Sequence, residues 1–213
     1  MRRTVAPRKP NPTFAFVVDG ETEIWYLQML KQNEQKIRVS IKPEIPQKKA
    51  LNEQFELVCE LASSEYQCVF WILDLDTVIK ESREVVPGAR TSLSIFNEMR
   101  CKISSEFKNV RVIINNPCLE FWFLLHFDRT SRYYRRCSDV VRNLKKHLRG
   151  YEKTEKFYKK RNNDIYLQLK PYLQSAIMNA AALDPFDLEN PERAVCEMHE
   201  LFLHEEFKPC LRG

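Results

Sequence analysis

An α/β fold, with a mainly parallel sheet flanked by helices and a helical addition at the C-terminal end, is predicted by three features of the 213-residue sequence. Short apolar runs alternate with segments of helical spacing as far as Ile114, the order in which a parallel sheet is built from crossover units. The run Tyr66 to Asp74 is nearly all apolar, as a strand covered on both faces reads. From Leu119 onward every long segment has helical periodicity.

Taken in order, Thr13 to Val18 is a strand that ends at the turn Asp19-Gly20. Thr22 to Asn33 follows as a helix on Ile24, Leu27 and Leu30, with Trp25 and Met29 beside them. Ile37 to Ile45 alternates through Ile37, Val39 and Ile41 and reads as a second strand. Leu51 to Ala62 returns to helical spacing through Leu51, Phe55 and Val58. After the buried strand, Thr77 to Thr91 is polar and carries the turn signal Pro87-Gly88. Leu93, Phe96, Met99 and Ile103 then mark a helix, and Val110 to Ile114 is the fourth strand. Helices are expected at Leu119 to Phe127, Ser138 to Leu148, Asp164 to Leu183 and Pro191 to Phe207, the last with its proline in the first turn. The chain thus divides into a basic flexible tail at 1–12, an α/β domain at 13–127 and a basic helical region at 128–213 packed on it.

Composition narrows the function classes. Four glycines, at 20, 88, 150 and 213, cannot make a phosphate-cradling P-loop or a dinucleotide-binding turn, both of which need several glycines within a few residues. The longest apolar runs, such as Cys68 to Leu73, fall far short of the roughly 20 residues that span a bilayer. Seven cysteines, with no CxxC pair, sit mostly in apolar stretches and read as reduced core thiols of a cytoplasmic protein. Cys196, His199 and His204 lie within one predicted helix and do not make a zinc site, because their spacing closes no tetrahedron.

The net charge of +5 is unevenly spread. Residues 129–161 hold thirteen basic and three acidic side chains, a segment of +10 that leaves −5 for the rest. A basic stretch set against an acidic body suits a partner with a phosphate backbone, and the interleaved tyrosines can stack on bases. Arg132, Tyr133, Tyr134, Arg135, Arg136, Lys145 and Lys146 are therefore the candidate nucleic-acid-binding residues. A solvated helical face would carry the same charges.

The acids at strand ends carry the chemistry. Asp74 and Asp76 bracket Leu75 after the buried strand, so strand alternation would project both carboxylates to one side. Asp19, Glu21 and Glu23 lie where the first strand gives way to its helix. In open parallel sheets functional groups gather beyond the carboxyl ends of the strands, so the two groups can converge. Hard oxygen ligands in that number suit Mg2+ or Mn2+. Capping would explain one acid at each place, not an aspartate pair.

At these residues the sequence resembles a TOPRIM domain, the fold of primases, topoisomerases and overcoming-lysogenization-defect nucleases. It more closely resembles the RloB-like family of bacterial anti-phage proteins. The resemblance rests on Val17-Val18-Asp19-Gly20-Glu21-Thr22-Glu23, Asp74-Leu75-Asp76, Asn116-Pro117-Cys118-Leu119-Glu120-Phe121-Trp122 and Gly150-Tyr151-Glu152-Lys153. It departs from the pattern at Asp19, where glutamate is usual. The resemblance implies a TOPRIM-like sheet and a Mg2+- or Mn2+-dependent nuclease of DNA or RNA, tRNA included, that acts in abortive phage defence beside a separate ATPase. It assigns metal binding to Asp19, Glu23, Asp74 and Asp76, and catalytic roles to Glu23, Glu120 and Lys153. The rival expectation is a non-catalytic nucleic-acid- or partner-binding subunit with a structural metal.

Overall fold

The computed structural model describes residues 13–35, 37, 40–44, 50–86 and 88–211. The basic tail expected at 1–12 lies outside the described residues.

Alternation of small and aromatic side chains along the first strand decides how the sheet is covered. In β1 (Thr13–Val18), Phe14, Phe16 and Val18 point to one face, and Ala15 and Val17 to the other. β2 (Ser40–Glu44), β3 (Cys68–Asp74) and β4 (Val110–Asn116) run parallel to it, and β5 (Val195–Cys196) closes the β4 edge antiparallel, giving the order β2-β1-β3-β4-β5. Phe16 lies opposite Phe70, and Ile72 opposite Ile113, so apolar rows run across the sheet. Both faces of β3 are buried from Cys68 to Leu73, as its unbroken apolar run requires.

One face packs on α2 (Leu51–Ala62), α3 (Leu75–Glu84) and α4 (Ser92–Glu106) through Val17, Val69, Trp71 and Leu73. The other packs on α1 (Glu21–Asn33) and α5 (Leu119–Leu125). On that second face the core continues into α6 (Cys137–Leu144), α7 (Glu155–Tyr158), α8 (Ile165–Leu169), α9 (Leu173–Ala181) and α10 (Met198–Leu203). Among the described residues no helix is long and apolar enough to cross a membrane.

Three expectations are corrected. The polar stretch after β3 is helical from Leu75 to Glu84, because Leu75, Val78 and Ile79 form a narrow buried stripe under an otherwise charged surface. The long helix expected from Asp164 is interrupted by a 3-10 turn at Lys170–Tyr172, where Pro171 lacks the N–H an α-helix would use. The helix expected from Pro191 begins only at Met198. Asn116 Nδ2 donates to the carbonyls of Pro191 (2.9 Å) and Arg193 (2.7 Å), and the Ile114 N–H donates to Glu197 Oε2 (2.9 Å). These bonds hold the segment before Met198 against the β4 edge, where Val195–Cys196 pairs as a strand, and tertiary pairing overrides local propensity.

The central packing element is Phe70, fully buried, stacked on Phe16 at 4.9 Å and set edge-on to Phe207 at 6.3 Å. Phe70→Ala is expected to lower unfolding free energy by about 3–5 kcal/mol in urea titrations, the range for large aromatic truncations in a core. Leu203→Ala, at a side chain 50% exposed, should change it by no more than about 0.5 kcal/mol. Equal effects at the two positions would contradict this placement of the core.

Candidate metal centre

Parallel strands bring their carboxyl ends to one edge, and three acidic segments leave the sheet there. β1 ends just before Asp19, β3 ends on Asp74, and β4 leads through Asn116 and a cis Pro117 to Cys118 and Glu120. The helices that follow carry acids in their first turns: Glu23 in α1, Asp76 in α3 and Glu120 in α5. For α1 and α3, the positive ends of the helix dipoles partly offset the crowding of negative charge.

Asp19 joins two strand ends. Its Oδ2 accepts the Asp74 backbone N–H at 2.8 Å, and its Oδ1 accepts from Gln54 Nε2 at 2.7 Å. Gln54 is oriented in turn by the Trp71 indole, which donates to Gln54 Oε1 at 2.8 Å. This relay from β3 through α2 to Asp19 is a positioning device that the sequence does not reveal, since a lone glutamine in a helix carries no signal.

Asp19, Asp74, Asp76 and Lys153 line one cavity of about 300 Å3, together with Gln54, Thr77, Glu81, Cys118 and Cys137. Asp74 Oδ1 is sealed from solvent and has no hydrogen-bond partner among the described residues. Burial, and then the Glu23, Asp19, Glu120 and Asp76 carboxylates, raise the Asp74 carboxyl well above its ordinary range. Burial pushes Glu23 up to about 7, with Asp19 and Glu120 adding to the effect. Asp76 is raised by burial, against opposition from its bonds with Thr77 and the charge of Lys153.

Glu120, 1% exposed, pairs with Lys153 Nζ at 2.9 Å and accepts from Tyr151 Oη at 2.7 Å. Tyr151 commits its one proton there, so Tyr158 Oη donates to Tyr151 Oη at 2.6 Å. Burial works against the Lys153 charge, and the Glu120, Asp74 and Glu23 carboxylates outweigh it, leaving its pKa raised. Among the described residues Lys153 is the one ammonium that lines this acidic cavity, and the excess of negative charge is one that one or two divalent cations would neutralise. Asp74 Oδ1, a buried oxygen with no donor among the described residues and with carboxylates around it, has the chemistry that suits a hard cation.

Two placements differ from expectation. Asp76 is no longer on the strand: the helix begins at Leu75, and the helical turn brings Asp76 to the cavity wall. Cys118 and Cys137 are joined in a disulfide on that wall and are not reduced thiols. Cys68, Cys196 and Cys210 are free and buried as expected. The disulfide escapes prediction because its partners are 19 residues apart in two loop-to-helix junctions.

The basic candidates separate into groups. Tyr133, Arg135 and Arg136 line an adjoining groove of about 560 Å3 with Lys80 and Arg83, and that groove shares Asp76 with the acidic cavity. Tyr134 is 7% exposed and packs against Phe121 at 6.0 Å, so its ring is closed to base stacking. Arg132 lies over the Tyr134 ring, and Lys145 and Lys146 are exposed beyond the end of α6, so these three line neither the cavity nor the groove.

Glu23 loses its proton near 4.5 in an unfolded chain and near 7 in the folded one, so between those values the folded protein holds more protons. In the presence of a chelator its stability should therefore fall as pH rises from about 4.5 to about 7, then level off. At pH 8, Asp74→Asn should raise the thermal midpoint by about 2–4 °C for each kcal/mol of repulsion relieved, and should blunt the rise that Mg2+ produces in the unmodified protein. Midpoints independent of pH, or an undiminished Mg2+ response in the variant, would contradict the geometry.

The family model described as RloB-like protein matches residues 14–203. No curated protein and no solved structure matches the chain. The matched span runs from β1 through α10 and contains every acid of the cavity together with Lys153 and the disulfide, and over that length the chain belongs to the RloB-like protein family.

Proposed function

We propose that the protein is a divalent-metal-dependent phosphodiesterase of nucleic acid on a TOPRIM-like sheet. The observation that carries the reading is Asp74 Oδ1, buried with no hydrogen-bond partner among the described residues, subject to the charge of four further carboxylates and in a cavity that Lys153 also lines. Asp74, Asp76, Asp19 and Glu23 would hold Mg2+ or Mn2+, which when bound supplies an activated water and charge neutralisation at the reacting phosphate.

The chain's own residues divide the remaining work. The Trp71–Gln54–Asp19 relay fixes the Asp19 carboxylate, and Tyr151 fixes Glu120. Lys153, about half exposed and held by Glu120, stands where a fixed cation can steady negative charge developing on a phosphate oxygen. Glu23, buried in the first turn of α1, adds to the negative charge around Asp74 that the cation would offset. The groove with Lys80, Arg83, Arg135 and Arg136 meets the cavity at Asp76 and suits a phosphate backbone led to the acids. An anti-phage role with a separate ATPase as partner completes the proposal; it is what the resemblance to RloB-like proteins implies, and membership of that family supports it.

Purified protein incubated with plasmid DNA and with total tRNA, under Mg2+, Mn2+ or chelator, tests the reading. Metal-dependent cleavage of one pool is expected, and Asp76→Asn should reduce it by more than about 100-fold, the scale of removing one preorganised electrostatic partner. Absence of cleavage in every pool, with the candidate ATPase present as well as absent, would leave a binding subunit with a structural metal. For binding, Arg135→Gln with Arg136→Gln should flatten the slope of log affinity against log salt by about 0.7 to 0.9 for each phosphate no longer neutralised. Lys145→Gln with Lys146→Gln should leave the slope unchanged, since neither residue lines the groove. The opposite ranking would place the nucleic acid on α6 instead.

A further inference from the structure

A second ligand set shares the cavity wall, and its two sulfurs have no part in the proposed chemistry. Cys118 Sγ, Cys137 Sγ and a Glu120 carboxylate oxygen all lie within 4.8 Å of one another. The two oxygens of Glu120 have different surroundings. Oε1 accepts from Tyr151 and pairs with Lys153, whereas Oε2 faces Cys137 Sγ at 3.0 Å. A disulfide sulfur carries no hydrogen, so that sulfur offers a carboxylate on a 1%-exposed residue nothing to accept.

We propose that reduction of the Cys118–Cys137 disulfide creates a zinc site in which both sulfurs and Glu120 Oε2 are ligands. A dithiol reductant supplies the two electrons: its thiolate attacks Cys137 Sγ, the less buried sulfur, the S–S bond breaks, and Cys118 leaves as a thiolate that takes a proton. The reductant's second thiol then displaces Cys137, ending as a cyclic disulfide and leaving two protein thiols. Zinc binding releases one proton from each thiol.

Three features favour zinc over the hard cation assigned to the neighbouring oxygens. Thiolate ligands select a borderline-soft ion. The Cα atoms of the two cysteines are 5.8 Å apart, a span that two Zn–S bonds of about 2.3 Å bridge without moving either backbone. Two thiolates, one carboxylate and Zn2+ sum to −1, which Lys153, with Nζ 3.5 Å from Cys137 Sγ, neutralises. Tyr151 holds the outer carboxylate oxygen, as donors behind the ligands do in zinc sites, and the cavity leaves the fourth position to water.

The proposal does not rest on the phosphodiesterase reading, and its test reads zinc rather than cleavage. Full-length protein is reduced with a dithiol, exchanged anaerobically into dithiol-free buffer and titrated with Zn2+ against a chromogenic chelator, in parallel with protein oxidised by diamide. One equivalent bound with a dissociation constant on the order of a micromolar or tighter is expected after reduction. Oxidised protein should bind at least 100-fold more weakly, and so should reduced Cys118→Ser/Cys137→Ser. Reduced Cys59→Ser/Cys101→Ser, which removes the more accessible free thiols, should bind as the unmodified protein does. Zinc bound equally in both redox states, or absent from the reduced protein, overturns the site. That comparison needs no variant and decides the matter even where the double serine chain fails to fold. Replacing Tyr151 by Phe should weaken binding by about 10- to 100-fold, which a thiol-only site elsewhere would not show.

Discussion

Like-charge crowding at the carboxyl edge of the sheet is the constraint around which the fold is arranged. Asp19, Glu23, Asp74, Asp76 and Glu120 come from three strand ends and three helix starts, and among the described residues Lys153 is the one lysine that lines the cavity with them. Carboxylates placed so close raise one another's pKa values, and burial raises them further, so the arrangement costs folding stability. What sustains it is the aromatic packing behind it. Tyr26, Trp122, Tyr151 and Tyr158 are all fully buried, and Tyr26 Oη accepts from Trp122 Nε1 at 3.1 Å. The apolar area in that layer offsets the electrostatic cost, and its polar tips bond to one another or to Glu120. A site strained in this way and supported by a rigid core is the usual arrangement where a bound cation completes the charge balance.

Much of this is legible in the sequence. The helical spacing of α2 marks its observed bounds at Leu51–Ala62, and each of the four parallel strands is marked by an apolar or an alternating run. The acids stand out because aspartates at the end of an apolar strand have no packing role to explain them. What stays hidden depends on contacts between distant residues. β5 is two residues long, and its strand conformation is imposed by Asn116 and Glu197 rather than by Val195 and Cys196. Tyr133 and Tyr134 are adjacent and chemically equal in sequence, yet only Tyr134 turns into the core, against Phe121. The disulfide pairs two junctions whose proximity is fixed by how α5 packs on α6.

Charge asymmetry along the chain becomes spatial organisation in the fold. The basic stretch from 129 to 161 does not form one face: Arg135 and Arg136 stand at the groove, Lys153 enters the acidic cavity, and Lys159 pairs with Glu155 one helical turn away. The +10 segment is therefore several surfaces with different uses, and among the described residues its contact with the acids is made by Lys153 in the cavity and by the groove that shares Asp76. Arg83 extends that surface from α3, although it also pairs with Glu192. A count of charges locates such a segment but cannot assign its members, since snorkelling, ion pairing and ligand contact all use the same residue types.

The shorter acid at position 19 follows from the same geometry. A glutamate, usual in the pattern this sequence resembles, would reach one methylene farther into the cavity. Asp19 instead holds both oxygens close to its own strand end, one on the Asp74 N–H and the other on Gln54. These two bonds tie β1, β3 and α2 together at the cavity floor, so the aspartate serves as a brace as well as an acid. The reach given up at position 19 is available from α1, where Glu23 is buried and its charge is felt by Asp74. The brace also explains why Gln54 is buried in a helix whose other inward positions, Val58 and Ala62, are apolar: its amide must carry the Trp71 hydrogen bond to the carboxylate, a task that no apolar side chain can perform.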